Sequence, residues 1–326
     1  MNEKFRLVLV LAFIVGMMVL LISTHASFGR RLIVGQRQSS TTNQDTESAT
    51  VDPPWRYRTS GQTNYISQNV GDEPALYNKR MLKYIRRNIS PPSKEIPYHL
   101  AVENNADFSQ FGQSTYVDKL LSGRRRGFFI ECGAADGDRL SNSLFFELER
   151  NWTGILIEAN PHYRQTILSK KRNAYVLTGC LSSERRSMTV RMQTAGVCSQ
   201  IVGATNSSRS YSGHPKRKPD VIVKCFPLNT IMAALNVFHV DYFSLDVEGP
   251  EIEILRTVDW TRLRIDVITV EYRVLNDRNH RVNKMKTLRK LEGLRQFFRE
   301  TGIYREVGRL PGGNVLAGLD IVFSRI

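Results

Sequence analysis

Residues Phe128 to Asn160 read FFIECGAADGDRLSNSLFFELERNWTGILIEAN, and this stretch decides the fold. An apolar run from Gly127 to Ile130 ends in an acid, Glu131, and opens into the loop Cys132-Gly133-Ala134-Ala135-Asp136-Gly137. After an amphipathic segment, a second apolar run, Gly154 to Ile157, ends in Glu158, 21 residues beyond Gly137. Small residues where strand turns into helix, with a carboxylate at the tip of the next strand, are the order of parts in a nucleotide-binding β-α-β unit. A carboxylate there can accept both hydroxyls of a ribose, and small residues let a ligand approach the backbone closely.

The loop is not a strict G-x-G-x-x-G, since Ala134 and Ala135 stand between Gly133 and Gly137. Such a loop suits S-adenosylmethionine better than a dinucleotide, because that ligand has no pyrophosphate to fit. Working outward, the pattern keeps alternating. The helix Asn142–Arg150 buries Leu144, Phe145 and Leu148, and Asn160 with Pro161 starts a helix ending near Arg172. Strands are expected over 174–177, 189–192, 221–226, 240–245 and 265–270, and helices over 230–238, capped by Asn229, and 284–301. Residues 193–219 read as a polar loop, and 304–307 with 319–323 as a closing antiparallel pair. The expectation is an α/β fold with a mostly parallel sheet covered on both faces.

In such sheets ligands bind beyond the carboxyl ends of the strands. Polar clusters fall at those ends: Glu131 to Asp136, Glu158-Ala159-Asn160, Ser182-Ser183-Glu184, Asp246 with Glu248, and Glu271. Packing does not explain acids at so many strand ends. Glu251 and Glu253 are different, since in the first turn after Pro250 they suit a helix dipole.

The 326 residues have room for one large α/β domain with accessories. The net charge of +15 comes from scattered Lys and Arg, with clusters at 124–126 and 216–218, and no nucleic-acid reading motif accompanies it. No nucleic-acid partner is expected. Leu7 to Ile22 is apolar apart from Gly16, short against the ~17–25 residues of a spanning helix yet long for a signal-peptide core. It reads as a signal anchor, although Thr24-x-Ala26 would serve as a cleavage site. Either way the remainder enters the secretory pathway. The division expected is an anchor over 1–26, a Ser/Thr/Gln/Pro-rich stalk over 27–97 with a docking helix over 75–89, and the catalytic-type domain over 98–326. Sequons at Asn88, Asn151 and Asn206 are compatible with a lumenal glycoprotein. Of Cys132, Cys180, Cys198 and Cys225, no pair has metal-binding spacing, and no metal ligands are read from the sequence. Cys132 is expected as a buried thiol, and Cys198–Cys225 as a disulfide closing the polar loop.

IECGAADG, SNSLFFELERNWTGILIEANP, CLSS and FSLDVEGPEIEILR (Phe243 to Arg256) together resemble the FkbM-type methyltransferase domain in its animal branch. The resemblance covers roughly residues 100–275. It implies the class I S-adenosylmethionine-dependent methyltransferase fold. Glu131, Gly133, Ala134 and Gly137 would then cradle the methionine end of the cofactor, Glu158 would hold the ribose, and Ser183 or Glu184 would lie near the adenine. Asp246 and Glu248 would border the methyl-transfer centre. One departure is that bacterial members often carry aspartate followed by G-A-N where Glu131 and Ala135 stand here. Anchor, stalk and domain together also resemble the Star-type insect type II membrane proteins, which implies assistance to export of a membrane-bound precursor.

Two readings follow. As an enzyme, the domain would methylate a hydroxyl on a small molecule or glycan, with Asp246, Glu248 or Glu271 as base. As a trafficking module it would bind a protein cargo in the endoplasmic reticulum or Golgi, or later at endosome or plasma membrane. The cofactor is made in the cytosol, so a lumenal enzyme would need it transported.

Overall fold

The structure is a computed structural model that describes residues 77–93, 98–100, 107–193, 200–202, 221–276, 281–311, 316 and 318–326. The apolar run at 7–22, Cys198 and the Asn206 sequon lie outside the described residues. Among those described, no helix is long and apolar enough to cross a membrane.

In chain order the elements are α1 (Lys79–Asn88), β1 (Ile89–Ser90), α2 (Gln113–Leu120), β2 (Phe128–Cys132), α3 (Leu144–Arg150) and β3 (Thr153–Glu158). There follow α4 (Arg164–Ser169), β4 (Ala174–Thr178), β5 (Cys180–Leu181), β6 (Met188–Gln193), β7 (Gln200–Val202), β8 (Val221–Phe226) and α5 (Leu228–Leu235). The chain closes with β9 (His239–Leu245), α6 (Glu251–Thr257), β10 (Arg264–Glu271), α7 (Lys284–Thr301), β11 (Tyr304–Leu310) and β12 (Asp320–Arg325).

Eight strands form the main sheet in the order β1-β4-β3-β2-β9-β10-β12-β11. The five from β4 to β10 are parallel, and β1, β12 and β11 join antiparallel. Strand order reverses between β2 and β9, so a crevice forms there beyond their carboxyl ends. Every residue of β2 is buried, as a central strand covered on both faces requires. Behind it, α3 buries Leu144, Phe145 and Phe146, with the Phe146 ring stacked 4.5 Å from Trp152. On α7, Leu291, Leu294, Phe297 and Phe298 are buried, and Phe298 lies 4.0 Å from Phe323 of β12.

Several expectations need correcting. The polar stretch after residue 193 contains β7, part of a second sheet ordered β5-β8-β6-β7. The disulfide joins Cys180 to Cys225 rather than Cys198 to Cys225, because β5 and β8 pair in a register that sets these two residues side by side. Asn229 lies inside α5 and clasps the backbone of Asp259 through both its oxygen and its nitrogen; Pro227 takes the cap position. The segment after Pro161 is a 3-10 turn (Pro161–Tyr163) followed by α4, with Asn160 capping the turn at His162 N–H. Within the expected stalk, β1 pairs with β4, and Arg86 of α1 donates to the Ala234 carbonyl of α5. The closing pair is antiparallel as expected.

Candidate functional site

A cavity of about 790 Å³ opens at the crevice between β2 and β9, within the ~300–1,000 Å³ of small-molecule sites. Its floor is the loop after β2. The Gly133 and Ala134 N–H groups donate to the Ile157 carbonyl at 3.0 and 3.4 Å, which folds the loop over the tip of β3. Gly133 has φ +85°, and a Cβ there would run into the carbonyl oxygen of Asp246. No other residue type fits where these two loops cross.

Glu158 is 8% exposed, and its two oxygens accept from the N–H groups of Ala135 at 2.8 Å and Asn160 at 2.7 Å. Burial raises its pKa above the ordinary carboxylate value, while those backbone donors oppose the rise. Each carboxylate oxygen can accept a second hydrogen bond, so the group can still take ribose hydroxyls. Glu131 is turned the other way. Its carboxylate accepts from Ser141 Oγ at 2.8 Å, from the Asn142 N–H at 2.9 Å and from Ser143 Oγ, tying β2 to the start of α3. Arg172 braces the same corner, pairing with Glu147 at 2.7 Å and donating to Gly137 O and Ser143 Oγ.

Glu131, Gly133, Ala134, Asp136, Glu158, Ala159, Asp246, Glu248 and Glu271 all line the cavity. Gly137, Asn160, Ser183 and Glu184 are not among its lining residues. Glu184 instead pairs with Arg186 at 2.7 Å, and the Ser183 hydroxyl faces Met188 sulfur. The cavity wall near β5 is apolar, lined by Cys180, Leu181 and Met192. Cys132 is buried, and burial with Glu131 and Glu158 close by pushes its thiol well up, so it stays protonated and inert.

Across the cavity, Asp246, Glu248 and Glu271 offer oxygens that all lie within 4.8 Å of one another. Burial, then the charges of Asp320, Glu248 and Glu251, pushes Asp246 up to about 8, against a downward pull from Lys290. Burial and Asp246 likewise push Glu271 well above its ordinary value. Glu248 is raised by burial and Glu251, with Lys290 and Arg273 opposing. A carboxylate titrating near neutrality is suited to general-base work. Glu251 is buried, pairs with Lys290 at 2.8 Å, and accepts from Gly249 N–H at 3.1 Å, so it holds the loop before α6. Asp320, raised to about 6 by burial, accepts from Gln113 of α2 at 2.6 Å. Gln113, which lines the cavity, and Asp320, Lys290 and Arg172, which bond or pair with residues around it, were missed by sequence reasoning, because none lies in a motif.

A doubly wound parallel sheet, an antiparallel closing hairpin and a glycine loop facing a strand-tip carboxylate define the class I methyltransferase architecture. The profile of the "Methyltransferase FkbM domain" matches residues 131–303, more than half the chain, and the chain belongs to that family. No curated protein matches it. Among solved structures, it is similar to methyltransferase FkbM from Methylobacillus flagellatus at 12% identity and TM-score 0.35. That likeness covers 61% of this chain and spans 43% of the other's length. A TehB-like S-adenosylmethionine-dependent methyltransferase from Corynebacterium glutamicum shows 10% identity and TM-score 0.36, covering 69% of this chain and 90% of that one. Aeropyrum pernix fibrillarin, solved with S-adenosyl-L-methionine, shows 11% identity and TM-score 0.36, covering 69% and 84%.

Proposed function

We propose that the cavity binds S-adenosylmethionine and that the chain methylates a hydroxyl on a small molecule or glycan. The observation that carries this reading is the placement of Glu158, buried at the tip of β3 with both oxygens held by backbone N–H groups at the cavity wall. Glu158 would accept the ribose hydroxyls, the Gly133–Ala134 backbone would line the methionine end, and the wall at Leu181 and Met192 would receive the adenine. When bound, the cofactor supplies a methyl group carried on a sulfonium. Asp246, raised toward neutrality, would take the proton of the acceptor hydroxyl.

The reading extends to place. Residues 7–22 anchor a type II protein whose domain lies in the lumen of the endoplasmic reticulum or Golgi. The Cys180–Cys225 disulfide supports an oxidising compartment.

Calorimetry of the full chain in detergent tests the cofactor. Heat on adding S-adenosylmethionine is expected from the wild type, with affinity at least ~10-fold weaker in Glu158→Ala, where buried acceptors of the ribose are lost. Silence from a folded wild type, or equal heat from the variant, overturns the assignment.

A second reading, a non-catalytic Star-like factor that assists export of a membrane-bound precursor, draws on a different observation. Glu131 and Glu158 are both hydrogen-bonded by the chain itself, so the loop keeps its shape without a ligand. The same calorimetry separates the two, since only the first requires cofactor heat.

A further inference from the structure

Asp246, Glu248 and Glu271 follow β9 and close β10 with their carboxylate oxygens gathered within 4.8 Å, on the wall of the cavity. Acids alone do not make a site, since many such groups are already neutralised by arginine or lysine. The distinguishing feature here is Glu271. It is 7% exposed, and among the described residues no donor reaches its buried Oε2. The nearest cation, Lys290 Nζ, stands 3.9 Å away and gives its short contact of 2.8 Å to Glu251 instead. Buried carboxylates are hydrogen-bonded, paired with a cation or coordinated to a metal. The Glu271 Oε2 has no hydrogen bond and only the long contact to Lys290, while two further carboxylates converge on the same side chain.

We infer that Asp246, Glu248 and Glu271 hold a hard divalent cation of the calcium, manganese and magnesium class. The donor set is all oxygen, which excludes a preference for the softer thiolate- and imidazole-seeking metals. Size is also consistent. Three oxygens within 4.8 Å of one another are close enough to share one ion at the ~2.3–2.6 Å of calcium ligation after small side-chain movements. Magnesium, at ~2.1 Å, would draw them slightly inward. Charge favours a cation too: Glu251 and Asp320 add two further carboxylates, against Lys290 and Arg273. Three protein ligands leave coordination positions open toward the cavity. In the methyl-transfer reading, on which this step rests, an acceptor oxygen would occupy one of them and be acidified by the ion, so that Asp246 is a ligand when the ion is bound and a proton acceptor only without it.

The test is a titration of the chelator-stripped full chain with MnCl2, without S-adenosylmethionine, reading free Mn²⁺ by electron paramagnetic resonance. One Mn²⁺ bound per chain is expected, displaced by CaCl2. Asp246→Asn and Glu271→Gln should each weaken it at least ~10-fold, a floor set by what even outer-shell changes cost. Asp266→Asn, at the other end of the same strands, should leave it unchanged. A wild type that binds no Mn²⁺, or variants that bind it as the wild type does, would overturn the proposal. Should the variants not fold, the wild-type melting temperature decides. It must rise with Mn²⁺ as ligand linkage requires, and a flat response sinks the site. Mn²⁺ binding without cofactor heat removes methyl transfer and leaves the ion. The reverse result removes the ion alone.

Discussion

β9 and β10 carry acidic groups at both ends, and the two ends are built in opposite ways. At the amino end, Asp241 and Asp266 face Arg124, which contacts both, and Asp266 also meets His239 at 3.0 Å and Arg264 at 2.9 Å. Burial works against the Asp266 anion, but hydrogen bonds from His239, Arg124 and Arg264 hold its pKa below the ordinary value. At the carboxyl end, Asp246 and Glu271 are raised instead, by burial and then by neighbouring carboxylates, Asp320 first for Asp246 and Asp246 first for Glu271. The same pair of strands thus ends in a neutralised cluster at one edge and an only partly compensated one at the other. Stability explains the first. The second costs stability, and such costs concentrate where ligands bind.

The largest expected effect is at the neutralised end. Arg124→Ala should lower stability by about 2 kcal/mol in urea unfolding. That is below the ~3–5 kcal/mol of a fully buried broken pair, because the Arg124 side chain is 40% exposed. No loss would show that Asp241 and Asp266 are satisfied without it.

The opposite sign is expected at the other end. In chelator, Asp246→Asn or Glu271→Gln should stabilise the chain by ~1 kcal/mol, since each removes an anion that the fold disfavours. A drop in melting temperature instead would mean that these carboxylates are as well compensated as Asp266.

The smallest effect is in pH dependence. Asp266 has a depressed folded pKa, so its stabilisation is present above the unfolded value of ~3.9 and is lost as pH falls through the folded one. The stability gap between wild type and Asp266→Asn should therefore be widest near neutrality and narrow below about pH 4. For Asp246 and Glu271 the folded pKa is raised, so the wild type in chelator should gain stability as pH drops from about 8 toward 4. A gap that stays constant below about pH 4 would contradict the assignment at Asp266, and a wild type that gains no stability between about pH 8 and 4 would contradict it at Asp246 and Glu271.

How much of this the sequence discloses depends on the range of the interactions. The central strands are readable because a strand buried on both faces must be an unbroken apolar run, and each ends where polarity begins, at Glu131, Glu158, Asp246 and Glu271. The 18-residue α7 is readable at both ends, from Asn283 as cap to Gly302 in the left-handed conformation. The second sheet is readable only in part. Its β6 and β8 fall where strands are expected over 189–192 and 221–226, but β5 and β7, two and three residues long, are too short to show a period. The disulfide depends on that sheet's register, so it was out of reach for the same reason. Glu131 was placed correctly at the strand end, but its direction was not readable. Ser141, Asn142 and Ser143 turn it toward α3, and Arg172, some 40 residues away, braces that corner. Contacts of this kind leave no period in the chain.

The crossing of Gly133 beneath Asp246 has one more consequence. Asp246 N–H donates to the Cys132 carbonyl at 3.2 Å, and there is no room for even a methyl group between Gly133 and the Asp246 carbonyl. The loop under Glu158 and the loop bearing the acids are therefore a single mechanical body. Occupancy on one side of the cavity that shifts either loop is transmitted to the other. Thermodynamic linkage then demands that two guests alter each other's affinity by one and the same factor, whichever arrives first.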